Sequence, residues 1–235
     1  MIIENKVKKY TVYTKCDSDF FISVFKDFLN FNLDIVRIFR SINDTKVMLI
    51  NTSRGKYVFK VFAPKDKRFE RFAKSFIKGD YYLNLFKQTD RVISEGLNFP
   101  NDFYLLAERK VFNYASIFIM IIEYVEGIEL VDFDEVSKEI KEEISEKVQL
   151  LHQHNMVSGD PHKGNFIISP SGVRIIDLSG KKCNSQRKAK DRIDLERHFG
   201  IPNRIEDLGY YCLIYKKIIR LKVKNIKNKI REVFK

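Results

Sequence analysis

Three oxygen-bearing side chains fall within residues 156–181, MVSGDPHKGNFIISPSGVRIIDLSGK: Asp160, Asn165 and Asp177. Moving a phosphoryl group onto a hydroxyl needs a carboxylate to orient and deprotonate that hydroxyl, and oxygen ligands for the Mg²⁺ that neutralises the phosphates. Asp160 suits the first task, Asn165 and Asp177 the second. Between them, Ile167-Ile168 and Val173–Ile176 are β-formers flanking a Pro170-Ser171-Gly172 turn, so a hairpin would return Asp177 to the loop that holds Asp160. A polar turn capped by Asp160 and Asn165 would also explain Gly159, Pro161 and Gly164. The hairpin ending in a second carboxylate favours chemistry.

Such a site also needs a cation for the phosphates. Upstream, three β segments are expected at Ile35–Arg40, Lys46–Asn51 and Lys56–Phe62, with turns at Asn43-Asp44 and Ser53-Arg54-Gly55. Lys60 lies on the third, between Phe59 and Val61, where kinases keep the lysine that pairs with nucleotide phosphates and with a helix carboxylate. The helical pattern of residues 68–87 places Phe69, Phe72, Phe76, Leu83 and Phe86 on one stripe, which Asp80 interrupts. A carboxylate on a buried face needs a cationic partner, so Asp80 is read as the partner of Lys60, with Glu70 as the alternative. Gly79 leaves open a helix break at that point.

The remaining elements must position these groups. Lys6–Tyr13 reads as a strand, and Asp19–Phe31 as a helix with Phe20, Val24, Phe28 and Phe31 on its apolar face. Phe103–Phe112 and Ser116–Tyr124 read as strands, the second running into Glu123-Tyr124-Val125-Glu126-Gly127. There a kinase chain crosses between lobes, and backbone groups of Glu123 and Val125 are expected to hold adenine. Glu135–His154 is a helix with Val136, Ile140, Ile144, Val148 and Leu151 in one stripe and Asp132 and Glu135 spaced for a capping box. A basic helix through Arg187–His198 and a final one over Asp207–Phe234 follow. The expected fold class is α+β: a bilobal protein-kinase-like fold with an antiparallel-sheet N-lobe at 1–126 and a mainly helical C-lobe at 127–235.

Composition is that of a globular chain: 235 residues, 44% hydrophobic. No signal peptide or transmembrane stretch is visible, and Cys16, Cys183 and Cys212 are too scattered for a disulfide framework or zinc site, which points to a reducing cytoplasm. Residues 216–235 carry nine Lys/Arg against Glu232 alone, and residues 181–197 carry seven against three acids, which accounts for the whole formal charge of +12. The two patches suit an anionic partner. The last helix either packs on the large lobe or lays its basic faces on an anionic membrane, each Lys/Arg contributing about 1 kcal/mol. No nucleic-acid-binding signature is present.

The histidine in Asp160-x-His162-x-x-Asn165 resembles small-molecule kinases of the aminoglycoside and choline type, and no A-P-E element follows Asp177. Four longer stretches, SGDPHKGNF (158–166), RIIDLSGKK (174–182), KAKDRIDLERHFGI (188–201) and PNDFYLLAERK (100–110), resemble the lipopolysaccharide core heptose kinases, the heptose(II) kinases in particular. The resemblance implies ATP-dependent phosphorylation of a hydroxyl, O-4, on the second heptose of the inner core, at the cytoplasmic face of the inner membrane. It makes Asp160 the base, Asn165 and Asp177 the Mg²⁺ ligands, Lys60 the phosphate lysine and His162 a loop organiser. The acceptor would be a core glycolipid, with the anionic membrane surface as a second partner. Lys163, Lys181 and Lys182 are further candidates for touching phosphate or substrate.

Two features depart from the kinase pattern. The turn Ser41–Thr45 has no glycine, so the usual phosphate cover is missing, and the helix carboxylate is Asp80 in place of Glu. These leave two other readings: a kinase of another sugar or amino-alcohol, and a non-catalytic kinase-fold module that docks on membrane. The sequence leaves the oligomeric state open.

Overall fold

A computed structural model describes residues 2–15, 18–64, 81–111 and 114–233, with side chains to residue 227. Seven strands form one antiparallel sheet in the order β1-β2-β6-β7-β5-β4-β3: β1 Ile3–Val7, β2 Tyr10–Thr14, β3 Asp34–Ile42, β4 Thr45–Thr52, β5 Gly55–Phe62, β6 Phe103–Val111 and β7 Tyr114–Glu123. The segment expected as one strand over Lys6–Tyr13 is instead a hairpin. Lys8 takes a φ of 54° in its turn, and Ile3 pairs with Thr14. A lysine pair carries no turn signal, so the reversal does not show in the sequence.

Helix α1, Ser18–Leu29, covers one face of the sheet. Phe21, Val24 and Phe25 are buried against Met48, Ile50, Phe59, Leu105 and Ile121. The expected seam is thus rotated by one residue, and Phe31 stands almost wholly in solvent. The opposite face looks towards the helices. There Met120 and Ile122 of β7 join Leu85 and Phe86 of α2, Tyr81–Ser94, in one apolar cluster that runs on through Leu130, Ile144, Leu151, Phe166 and Leu195. Helix α2 ends at Ser94, one turn and more beyond the expected Lys87, and the first part of the expected 68–87 helix lies outside the described residues.

Beyond β7 the chain forms a three-stranded sheet in the order β10-β9-β8, from β8 Ile128–Glu129, β9 Phe166–Ser169 and β10 Gly172–Ile175. Helix α3, Lys138–Gln153, precedes β9. Its N-cap is Ser137, whose hydroxyl accepts the Ile140 amide, and not the expected Asp132/Glu135 box, because Leu130–Asp132 form a separate short 3-10 turn. Helix α4, Ser185–Phe199, is capped by Asn184 and closed by Gly200. Helix α5, Leu208–Val233, rests on α4 only through its first turns. From Tyr215 to Lys227 every residue is exposed. Among the described residues no helix is long and apolar enough to cross a membrane.

Candidate active site

Helix α4 holds the loop that carries Asp160. Asp191, fully buried on α4, accepts the backbone amides of Ser158 at 2.8 Å and Gly159 at 2.9 Å, and its Oδ2 also meets His152 Nε2 of α3 at 3.1 Å. Lys190 Nζ donates to the Gly159 carbonyl at 3.1 Å and pairs with the buried Asp194 at 2.5 Å. Both sides of the Gly159 peptide chain are therefore fixed from one helix. Gly159 has a φ of +87°, and a Cβ there would lie 2.4 Å from Ser179 Cβ, so only glycine allows the close approach. A bridge between Val157 and Ser179 keeps the two segments adjacent.

Asp160 projects from this anchored turn into solvent. Its side chain is 69% exposed, with His162 Nε2 3.9 Å from Oδ2. His162 Nδ1 accepts the Gly164 amide at 3.1 Å, which leaves the proton on Nε2, facing Asp160. Asn165 is buried and donates from Nδ2 to the Asp160 carbonyl at 2.8 Å. That bond occupies Nδ2 and leaves Oδ1 as an acceptor. The histidine thus caps the short turn that carries Asn165.

Asp177 arrives from β10 in register with Asn165, whose carbonyl accepts the Ile176 amide at 2.9 Å. Asp177 adopts a φ of 54°, a left-handed conformation that aspartate tolerates better than most residues. Its Oδ1 meets Lys60 Nζ at 2.7 Å. Lys60 sits on β5 in the row Val47–Lys60–Met120, on the sheet face opposite α1. A lysine from the large sheet thus meets a carboxylate from the segment that follows β10. The helix partner expected for Lys60, Asp80, and its alternative, Glu70, lie outside the described residues.

At the end of β7 the Glu123 carboxylate binds Arg174 Nη2 at 2.6 Å and accepts the Asp102 amide at 2.9 Å, while the Glu123 amide donates to the Asp102 carbonyl at 2.8 Å. Arg174 continues to the carbonyls of Phe99 and Pro100. Burial pushes the Asp102 carboxyl up against the pull of Lys15, which it meets at 2.5 Å. Val125 has a buried side chain, and its backbone amide and carbonyl make no hydrogen bond to other described residues.

Of the three loop lysines named as substrate candidates, Lys163 is committed elsewhere: its Nζ donates to the carbonyls of Phe133 and Asp134 at 2.9 and 3.2 Å. Lys181 and Lys182 are exposed. The residue that sequence reasoning missed is Asp191. Its signal was present, because at helical spacing it shares a face with Leu195 and Phe199, and a carboxylate on a buried stripe demands donors. Among the described residues no three His, Cys, Asp or Glu side chains cluster as a metal site. Asn165 and Asp177 suit a hard cation that takes its other ligands from phosphate and water.

The described fold is similar to that of the Rio2 kinase from Chaetomium thermophilum, whose structure is a complex with ADP and Mg²⁺. The two are 17% identical with a TM-score of 0.50 over 88% of this chain and 69% of that one. The fold defines the class: a protein of the kinase-like fold. Residues 1–229 match the family described as lipopolysaccharide core biosynthesis protein (WaaY), and the chain belongs to that family. It is 56% identical over 229 residues to two Escherichia coli proteins named lipopolysaccharide core heptose(II) kinase WaaY, one of them from strain K12. The match covers 97% of this chain and 99% and 100% of theirs.

Proposed function

We propose that this chain transfers the γ-phosphoryl group of ATP to a hydroxyl, O-4, of the second heptose in the lipopolysaccharide inner core. The observation that carries the reading is the meeting of Lys60 and Asp177 beside the Asp160–Asn165 loop, in a chain 56% identical to proteins named heptose(II) kinases. The nucleotide would lie between residues 1–126 and 127–235, with adenine against the backbone of Glu123 and Val125.

Asp160 serves as the base. Its carboxylate is open to a sugar hydroxyl, and its carbonyl is pinned by Asn165 so that the side chain cannot drift from the loop. Asn165 and Asp177 would hold Mg²⁺, which would supply charge neutralisation at the phosphates. Lys60 binds the phosphates, with Asp80 or Glu70 as the carboxylate proposed to pair with it. Nucleotide binding therefore replaces the Lys60–Asp177 pair with separate contacts to phosphate and cation.

The acceptor is a glycolipid, and α5 provides a means of reaching it. Ile219, Val223 and Ile226 share one exposed face with Tyr215, flanked by Lys216, Lys222 and Lys227, with Lys217, Arg220 and Lys224 behind. An amphipathic helix of this kind lies in the plane of an anionic membrane surface without crossing it. The protein would work as a peripheral enzyme at the cytoplasmic face of the inner membrane, and no nucleic acid is involved.

The test is transfer of labelled γ-phosphate with Mg²⁺ to three acceptors: core glycolipid lacking phosphate on the second heptose, an aminoglycoside, and choline. Transfer to the glycolipid alone, at O-4 of the second heptose in the product, is expected. Transfer to a soluble acceptor instead would overturn the substrate, and transfer to none would overturn the reading.

A further inference from the structure

The turn that follows β3 lacks the glycines whose backbone amides would cover phosphate, so the cleft needs another donor there. The strand register supplies one. Residues directly opposed in an antiparallel ladder share a face, and Arg40 opposes Val47, which opposes Lys60. Arg40 is therefore on the Lys60 face, two strands away, with about 10 Å between the backbones.

A bulge puts it there. Arg37 opposes Leu49 and Ile38 opposes Met48, whereas Arg40 opposes Val47, leaving Phe39 as an extra residue. Met48 packs under α1, so Ile38 belongs to the outer face, and without the extra residue Arg40 would follow it there. Phe39 itself stacks on Tyr124, ring centroids 6.5 Å apart, beside the strand end where adenine is expected, and Arg37 lies over the Phe39 ring at 5.4 Å. Arg40 is exposed and has no hydrogen-bond or ion-pair partner among the described residues. An edge-strand arginine re-aimed by a bulge onto the face of the phosphate lysine is placed for a ligand.

We propose that Arg40 binds the nucleotide phosphates, replacing the backbone amides of a glycine-rich turn with a guanidinium. The inference rests on the ATP-dependent reading above. Guanidinium suits the task because it donates two parallel hydrogen bonds to one phosphate and keeps its charge. Lys60 and Arg40 then approach the phosphate chain from two strands, one near its root and one from the sheet edge. Arg37 shares the face but lies on the row of Leu49, Val58 and Ile122, towards adenine.

The experiment measures equilibrium binding of Mg-ATP and of adenosine to the full chain and to Arg40→Ala, Arg40→Lys and Arg37→Ala. Arg40→Ala should lose about tenfold or more in ATP affinity with adenosine affinity unchanged, Arg40→Lys should recover part of it, and Arg37→Ala should leave the ATP-to-adenosine ratio as it was. ATP affinity within twofold of the parent in Arg40→Ala would overturn the assignment. So would a parallel fall in both ligands, which marks a scaffold role, or an equal change of ratio in Arg37→Ala, which marks a general charge effect. Failure of the parent chain to bind ATP at all would overturn the nucleotide reading and this inference with it.

Discussion

The Lys60 ammonium and the Asp177 carboxylate meet at 2.7 Å across 117 residues of sequence, one from β5 of the seven-stranded sheet and one just past β10 of the three-stranded sheet. The pair is partly solvated, with Asp177 57% exposed, so it adds little to stability. Its significance is that a nucleotide and its cation would claim both members.

Lys60→Ala and Asp177→Asn should each lower turnover by roughly 100-fold or more, since in the proposed function each group would face charge developing at the transferred phosphoryl. Thermal melting of the free proteins should hardly change. Activity assays beside melting curves check this, and a large loss of melting temperature would instead make the pair structural.

Asp191→Ala should behave oppositely. It leaves the Ser158 and Gly159 amides and His152 without their acceptor in a buried site, which costs about 3 kcal/mol. Denaturant unfolding should show that loss, and turnover should fall because the Asp160 loop is no longer held. Asp191→Asn, which keeps one acceptor oxygen, should fall between the two.

Acid should loosen the tie between α3 and β10. Burial opposes charge on Glu143, but Lys147 at 2.6 Å and the Val173 amide at 2.9 Å outweigh it and hold the carboxyl below its ordinary value of 4.5. A folded value below the unfolded one gives stability that is complete above pH 4.5 and is lost as pH falls through the folded value. Melting of the parent and of Glu143→Gln should therefore differ at pH 7 and converge as the pH falls below 4.5.

Sedimentation with vesicles tests α5. The protein should bind vesicles containing anionic lipid, release in high salt, and ignore neutral vesicles. Combined Lys216→Gln, Lys222→Gln and Lys227→Gln should weaken binding, while binding that persists unchanged in that variant would remove the charge from the account.

The architecture and the meeting of Lys60 with Asp177 beside Asn165 were legible because their constraints are local. Lys60 stands between apolar neighbours on a strand, and Asp160, Asn165 and Asp177 share one hairpin, so spacing alone brings them together. The supports were not, because they are contacts over long separations. Asp191 lies 33 residues from Ser158, and the Arg174–Glu123 pair spans 51. The bulge that turns Arg40 into the cleft leaves no mark either, since period-two alternation presumes an unbroken ladder. The β1–β2 hairpin was hidden for a simpler reason, a turn made of lysines.

The central claim is that Asp160 deprotonates the acceptor hydroxyl, and single-turnover transfer from ATP to the core glycolipid by the parent and by Asp160→Ala, with ATP binding measured on the same samples, tests it most directly. The account predicts that Asp160→Ala binds ATP as the parent does and transfers at least about 100-fold more slowly. Transfer at the parental rate by the variant would contradict it.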